Sequence, residues 1–171
     1  ASDVYKRQEL IQEKPVDKIT VTDIVKRADI NRGTFYAHYA DVPDVLEHQV
    51  EDACRLLRQA LDEHLAHSPY DPTVVLRQIQ KALEGEFSFF TALLASSLSP
   101  SVTRRLRDIF VDYMTEHAPA ERKQDEQFLF MLRFAAGGVS TVYCDWASGS
   151  LSQPLPDLTD QLIRVTRKLT E

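Results

Sequence analysis

The stretch Thr20-Val-Thr-Asp-Ile-Val-Lys-Arg-Ala-Asp-Ile-Asn-Arg-Gly-Thr-Phe-Tyr-Ala-His-Tyr39 decides how this chain folds. Thr20 with Asp23 three residues on is a near-match to a capping box, in which side chain and backbone satisfy each other's orphaned groups at a helix start. A short helix is therefore expected over Val21 to Ala28. Asp29, Ile30 and Asn31 leave room only for a tight connection, and Asn31 suits the cap of a second short helix reaching about Tyr39. Ile24 and Ala28 lie one turn apart, and Ile30 and Phe35 are expected to close a small core over them. With Phe35 inward, about 100° per residue puts Gly33 and Ala37 outward, flanked by Thr34 and Tyr36.

Two short helices joined by a tight turn make the helix-turn-helix pattern. Small outward residues let the backbone approach a groove closely. Arg32, Thr34, Tyr36 and His38 add guanidinium, hydroxyl and imidazole groups suited to base edges and phosphates. The N–H groups near Thr20 and Asn31 are natural phosphate anchors. Helical proteins that bind no DNA also contain such pairs of helices, and local charge does not separate the two cases. Residues 1–50 hold seven Lys and Arg against nine acids, a weak basic footprint.

Helical punctuation continues on both sides of this stretch. Pro15 ends a helix expected over Val4 to Glu13. After Asp41, with Pro43 near a first helical position, Leu46, Val50, Ala53, Leu57 and Leu61 form the apolar stripe of a long helix ending near Ala66. Ser68-Pro-Tyr-Asp-Pro72 reads as a linker. Further helices are expected over 73–84, 87–97, 101–117, 121–147 and 155–170. The expected class is all-α: a three-helix helix-turn-helix domain over 1–45, then a larger helical domain over 46–171.

Composition agrees. Of 171 residues, 43% are hydrophobic, and Gly numbers only 5, too few to punctuate a many-stranded fold. The net charge of −6 argues against coating a polyanion with the whole molecule but leaves room for one local nucleic-acid surface. Cys54 and Cys144 are far apart with no ligand spacing, which suits free thiols in a reducing cytoplasm. No apolar run approaches the ~20 residues that span a bilayer, and no signal peptide opens the chain, so a cytoplasmic protein without membrane contact is expected.

The run Ile19-Thr-Val-Thr-Asp-Ile24 through Ala28-Asp-Ile-Asn-Arg-Gly-Thr-Phe-Tyr-Ala-His-Tyr39 resembles the DNA-binding signature of the TetR family of bacterial transcription regulators. The likeness covers about 40 residues, and the long connecting helix, helical domain and two long final helices are similar to that family's plan. A fainter likeness runs from Ala92-Leu-Leu-Ala-Ser-Ser97 to Gly137-Gly138 and points to a subgroup common in Gram-positive bacteria. The resemblance implies that Thr20 caps its helix at a phosphate, that Thr22 lies near the groove and that Asn31 caps the recognition helix. It further implies that Arg32, Gly33, Thr34, Tyr36 and His38 form the recognition surface. The family usually carries a phosphate-gripping lysine where this chain has Val42. The opening Ala1-Ser-Asp-Val-Tyr-Lys-Arg-Gln8 also departs, placing Lys6 and Arg7 where small apolar residues are preferred.

The implied function is a ligand-responsive regulator, repressor or activator, that binds a near-palindromic double-stranded DNA operator as a homodimer. The alternative is a helical protein-binding adaptor of the same fold that no longer reads DNA, motivated by the acidic N-terminal balance and Val42. No enzyme is expected, because nothing resembles a nucleophile elbow, a phosphate loop or a dinucleotide loop. No cofactor or metal is expected either. His64 and His67 share a helix face without a matching ligand set.

Aromatic residues crowd the middle of the chain and serve either a helical core or an effector pocket. Candidates for the pocket are Phe90, Phe110, Tyr113, Phe130 and Phe134, with Arg133 as anchor for an anionic small molecule. Phe128, Leu132, Ala135, Val139, Val142 and Trp146 recur at steps of four and three, and so do Leu158, Leu162 and Val165 in the last helix. Two such seams make half a four-helix bundle, so these nine residues are the expected dimer interface. Gly137 and Gly138, costly inside a helix, fit a close crossing between subunits or within one.

Overall fold

In the computed structural model, residues 13–65, 71–85, 87–94 and 96–170 are described, and every helix and turn below lies among them. The helix expected over Val4 to Glu13 lies outside them almost entirely, as do His67 and the linker through Tyr70. Among the described residues the fold is all-α. A short 3-10 turn at Val16–Lys18 leads into α1 (Val21–Ala28), α2 (Arg32–His38), α3 (Val42–Leu65), α4 (Pro72–Gly85), α5 (Phe87–Leu94), α6 (Ser99–His117), α7 (Glu126–Ala147) and α8 (Leu155–Thr170).

The head is small. Phe35 is fully buried, its ring meets Tyr39 at 5.8 Å, and Val16, Ile19, Ile24, Val25, Val45 and Leu46 join it in the same apolar cluster. Ile30 does not join it as expected. Asp29 ends α1 in the left-handed conformation (φ 56°), which short polar side chains tolerate, and the turn leaves Ile30 on the surface at 37% exposure. Val16 and Ile19, from the turn before α1, are buried where Ile30 is not.

The 24-residue α3 is roughly 36 Å long and runs from the head into the body without a break at position 45. In the body α4 packs on α3 and on α8, α6 lies along α7 and against α3, and α7 also meets α8. Leu61, Val75, Leu76, Leu93, Val102, Tyr113, Met114, Ala136 and Leu158 form the driest part of the core. Its two buried tyrosine hydroxyls are paired. Tyr113 Oη donates to the Leu61 carbonyl at 3.2 Å, and Tyr143 Oη lies 3.1 Å from Thr159 Oγ1. Burial pushes the Tyr143 phenol up to about 12.

Three helix limits differ from expectation, each for a local reason. α7 starts at Glu126 and not at 121, because Asp125 accepts the Phe128 N–H at 3.1 Å and the chain turns at Pro119–Arg122. α5 stops at Leu94, before the expected 97, and the Ser96 hydroxyl takes the Leu93 carbonyl at 2.6 Å. α6 begins at Ser99, since Pro100 lacks only an N–H that the first turn does not use.

Candidate nucleic-acid interface

The head's surface is assembled from three capped helix starts. At α1 the Thr20 N–H and hydroxyl both donate to Asp23 Oδ2 (2.8 and 2.7 Å), and the Asp23 N–H returns a bond to Thr20 Oγ1 at 3.3 Å. Lys14 Nζ lies 2.6 Å from the same carboxylate. The Lys14 and Thr20 hydrogen bonds hold the Asp23 carboxyl far below the usual carboxylate range. At α2, Asn31 Oδ1 accepts from the Thr34 N–H (2.8 Å) and hydroxyl (3.2 Å). A Cβ at Gly33 would stand 3.1 Å from that cap oxygen, so the absence of a side chain protects the cap as well as opening the groove face.

At α3 the Asp44 N–H donates to Asp41 Oδ1 (2.9 Å) and the Ala40 N–H to Asp44 Oδ2 (2.8 Å). Two carboxylates thus occupy the start of the helix whose first residue is the half-buried Val42. His48 Nδ1 sits 2.8 Å from the Asp44 carbonyl, which raises its imidazole above the ordinary value.

Between these caps the candidate recognition residues share the exposed surface of α2. Arg32, Gly33, Thr34, Tyr36 and His38 are all exposed, Tyr36 by 55%, with its ring edge-on to Phe35 at 5.2 Å. Thr20 and Asn31 are exposed at the two caps and Thr22 is half-buried on the first turn of α1. Arg32 Nη2 donates to Thr22 Oγ1 at 2.7 Å, a bridge between the two helices that the sequence pattern does not announce. The Asp41-Val-Pro-Asp44 cap has a signal in the sequence beyond Pro43, an acid three residues before another acid.

Contacts from the body hold the head and the long α3 in place. Ser97 Oγ donates to Asp17 Oδ1 at 2.7 Å, and the Ser97 N–H approaches the same carboxylate at 3.3 Å. Arg105 of α6 reaches Glu51 (3.1 Å) and Glu47 (3.6 Å) on α3.

The six pocket candidates are not brought together. Phe90, Phe110 and Tyr113 are core residues, whereas Phe130, Arg133 and Phe134 lie on the exposed face of α7. Phe110 lines a cavity of about 300 Å³ with Met114, Phe128, Leu132 and Thr166, where Arg122 and Asp125 supply the charge. Of the nine seam residues, Phe128, Leu132, Ala135, Val139, Leu158 and Leu162 are buried in the subunit, Val142 and Trp146 half-buried, and Val165 56% exposed. Phe134, Gly138, Val142, Leu151, Leu162 and Val165 line an open apolar groove between α7 and α8. A Cβ on Gly137 or Gly138 would meet nothing within 4 Å, so neither glycine serves a close crossing inside the subunit.

The family model for bacterial regulatory proteins of the tetR family matches residues 8–45, the segment that builds this interface. Residues 8–45 thus match the DNA-binding segment of that family. An uncharacterized HTH-type transcriptional regulator of Bacillus subtilis (strain 168), YxbF, is 31% identical over 81 residues, which are 47% of this chain but 18% of that protein. The chain thus matches less than a fifth of that relative's length. A TetR-family transcriptional regulator from Syntrophomonas wolfei superimposes with a TM-score of 0.78 at 11% identity, over 98% of this chain and 92% of that one. The dihydroxyacetone kinase operon activator DhaS gives 0.71 at 17% identity, over 97% and 92%. The likeness in fold to these structures therefore extends through the body as well as the head. Among the described residues no helix is long and apolar enough to cross a membrane.

Proposed function

We propose that this chain is a TetR-family regulator that binds a near-palindromic double-stranded DNA operator as a homodimer, one α2 helix per half-site, and that an unidentified small molecule held in the body tunes that binding. One observation carries the reading. Arg32, Thr34, Tyr36 and His38 stand exposed on a helix whose position is set by Asn31 and by the buried Phe35. Thr20, Thr22, Asn31, Arg32, Gly33, Thr34, Tyr36 and His38 are the proposed contact residues. The division into a reading domain over 1–45 and an effector and dimer domain over 46–171 belongs to the same proposal.

Dimerisation is supported by the apolar surface left on α7 and α8. Phe130, Phe134 and Val165 are exposed beside the open groove and the uncrowded Gly137 and Gly138. A two-fold interface would bury each of them twice. The effector reading is supported by the cavity beside Phe110 and Phe128. An effector that binds one spacing of the two heads better than the other shifts the population toward that spacing.

The adaptor alternative has one observation in its favour, the carboxylates of Asp41 and Asp44 seated where a phosphate would otherwise lie at the start of α3. Selection from random double-stranded DNA followed by hydroxyl-radical footprinting separates the two. The regulator yields an enriched near-palindrome with two protected half-sites one helical turn, ~34–36 Å, or a multiple apart. The adaptor yields no enriched sequence.

A further inference from the structure

The bridge between Arg32 and Thr22 gives the recognition face a feature that shape alone does not. Lys14 and Arg27 of the head are engaged by the carboxylates of Asp23 and Glu13. Among the described residues no carboxylate pairs with Arg32; its guanidinium is held at 2.7 Å by the neutral hydroxyl oxygen of Thr22. Five N–H donors radiate in a plane from a guanidinium, and one bond to Thr22 leaves four, enough for a complete two-donor edge. The held group keeps its full charge and loses much of the rotational freedom of a surface arginine.

We propose that Arg32 reads a guanine in each half-site, and that Thr22 is the positioning residue that aims its guanidinium. The inference rests on the DNA-binding reading of this face and specifies what the face recognises. In the major groove only guanine offers two adjacent acceptors, O6 and N7, to a two-donor edge. Adenine sets a donor beside N7, cytosine presents a donor, and thymine offers one acceptor and a methyl group. Thr22 reaches Arg32 from the first turn of α1, so the relative placement of the two helices is transmitted to the direction of the fork.

The test is a binding selection on the full chain, followed by affinities for the selected site and for the same site with each G·C pair changed to A·T. The wild type should lose ~10- to 100-fold affinity on replacement of that guanine in one half-site, the range of a single bidentate base contact. Arg32→Gln should abolish that preference. Thr22→Val, which keeps the shape and removes the acceptor, should cut the preference to less than about 3-fold, and Thr22→Ser should restore it. Two results overturn the assignment. If Arg32→Gln weakens all sequences alike and lowers the salt slope by about one unit, Arg32 grips a phosphate. If Thr22→Val keeps full discrimination, Thr22 does not aim the fork. A wild-type chain that enriches no sequence overturns the DNA-binding reading itself, which is a distinct outcome.

Discussion

Head and body of this chain reach a defined shape by different means. The head buries a few apolar side chains around Phe35 and sets its helix limits with polar caps at Thr20, Asn31 and Asp41. The body fixes its helices by a large apolar core and still leaves Phe130, Phe134 and Val165 outside. Where caps and one aromatic define the fold, most side chains of the short helix are free to face a ligand. Where apolar burial defines it, the uncovered remainder points to association.

The comparison breaks most severely at Phe35. Phe35→Ala should cost about 3–5 kcal/mol, a large share of a small unit's stability, because the head has few other side chains to close the void. Amide exchange should show loss of protection across α1 and α2 while α4 to α8 stay protected. Equal loss in the body would show that the two regions fold as one.

Next in size is the proposed association face. Phe134→Glu or Val165→Glu should give helical monomers, since an unpaired charge buried twice at a two-fold interface costs several kcal/mol. Light scattering with circular dichroism checks it, and dimers that persist in both variants would place association elsewhere. The same change at Val139 or Leu162 is no such test, because both are buried within the subunit and the charge would damage its core directly.

Smaller effects probe the caps. Thr20→Ala should cost about 1 kcal/mol of head stability. The Asp23 carboxyl is depressed by its Lys14 and Thr20 bonds. Its contribution is therefore present above the unfolded value near 3.9 and is lost as pH falls below it. Melting of the head at pH 5 and pH 3 should show a larger drop in the wild type than in Asp23→Asn. The smallest effect is Val42→Lys, which should strengthen binding to all DNA alike and steepen the salt slope by about one unit.

The same contrast explains what the sequence made legible. The caps at Thr20 and Asn31 are local grammar, and α1 and α2 fall within a residue of their expected limits. The apolar steps in the last two helices likewise announced α7 and α8. They did not announce which side of the seam faces inward, because one stripe serves a subunit core and a partner equally well. Hence Leu162 is buried and Val165 exposed three residues apart. The pocket candidates failed to converge for a related reason: Phe130 and Phe134 lie on the opposite face of α7 from Phe128 and Leu132, and a list of aromatics carries no facing. Ile30 departs from the expected core position because the left-handed Asp29 depends on how the turn closes. The Arg32 to Thr22 and Asp17 to Ser97 contacts join residues that only the fold brings together.

The most direct test of the central claim is the affinity of Tyr36→Ala for the selected operator, measured beside its melting temperature. Tyr36 is exposed and contributes little to the head's core, so its loss should leave melting nearly unchanged. The account predicts at least a ~10-fold loss of operator affinity, as for a contact worth about 1.4 kcal/mol or more. Unchanged affinity in a variant that folds normally would contradict the assignment of this face to DNA.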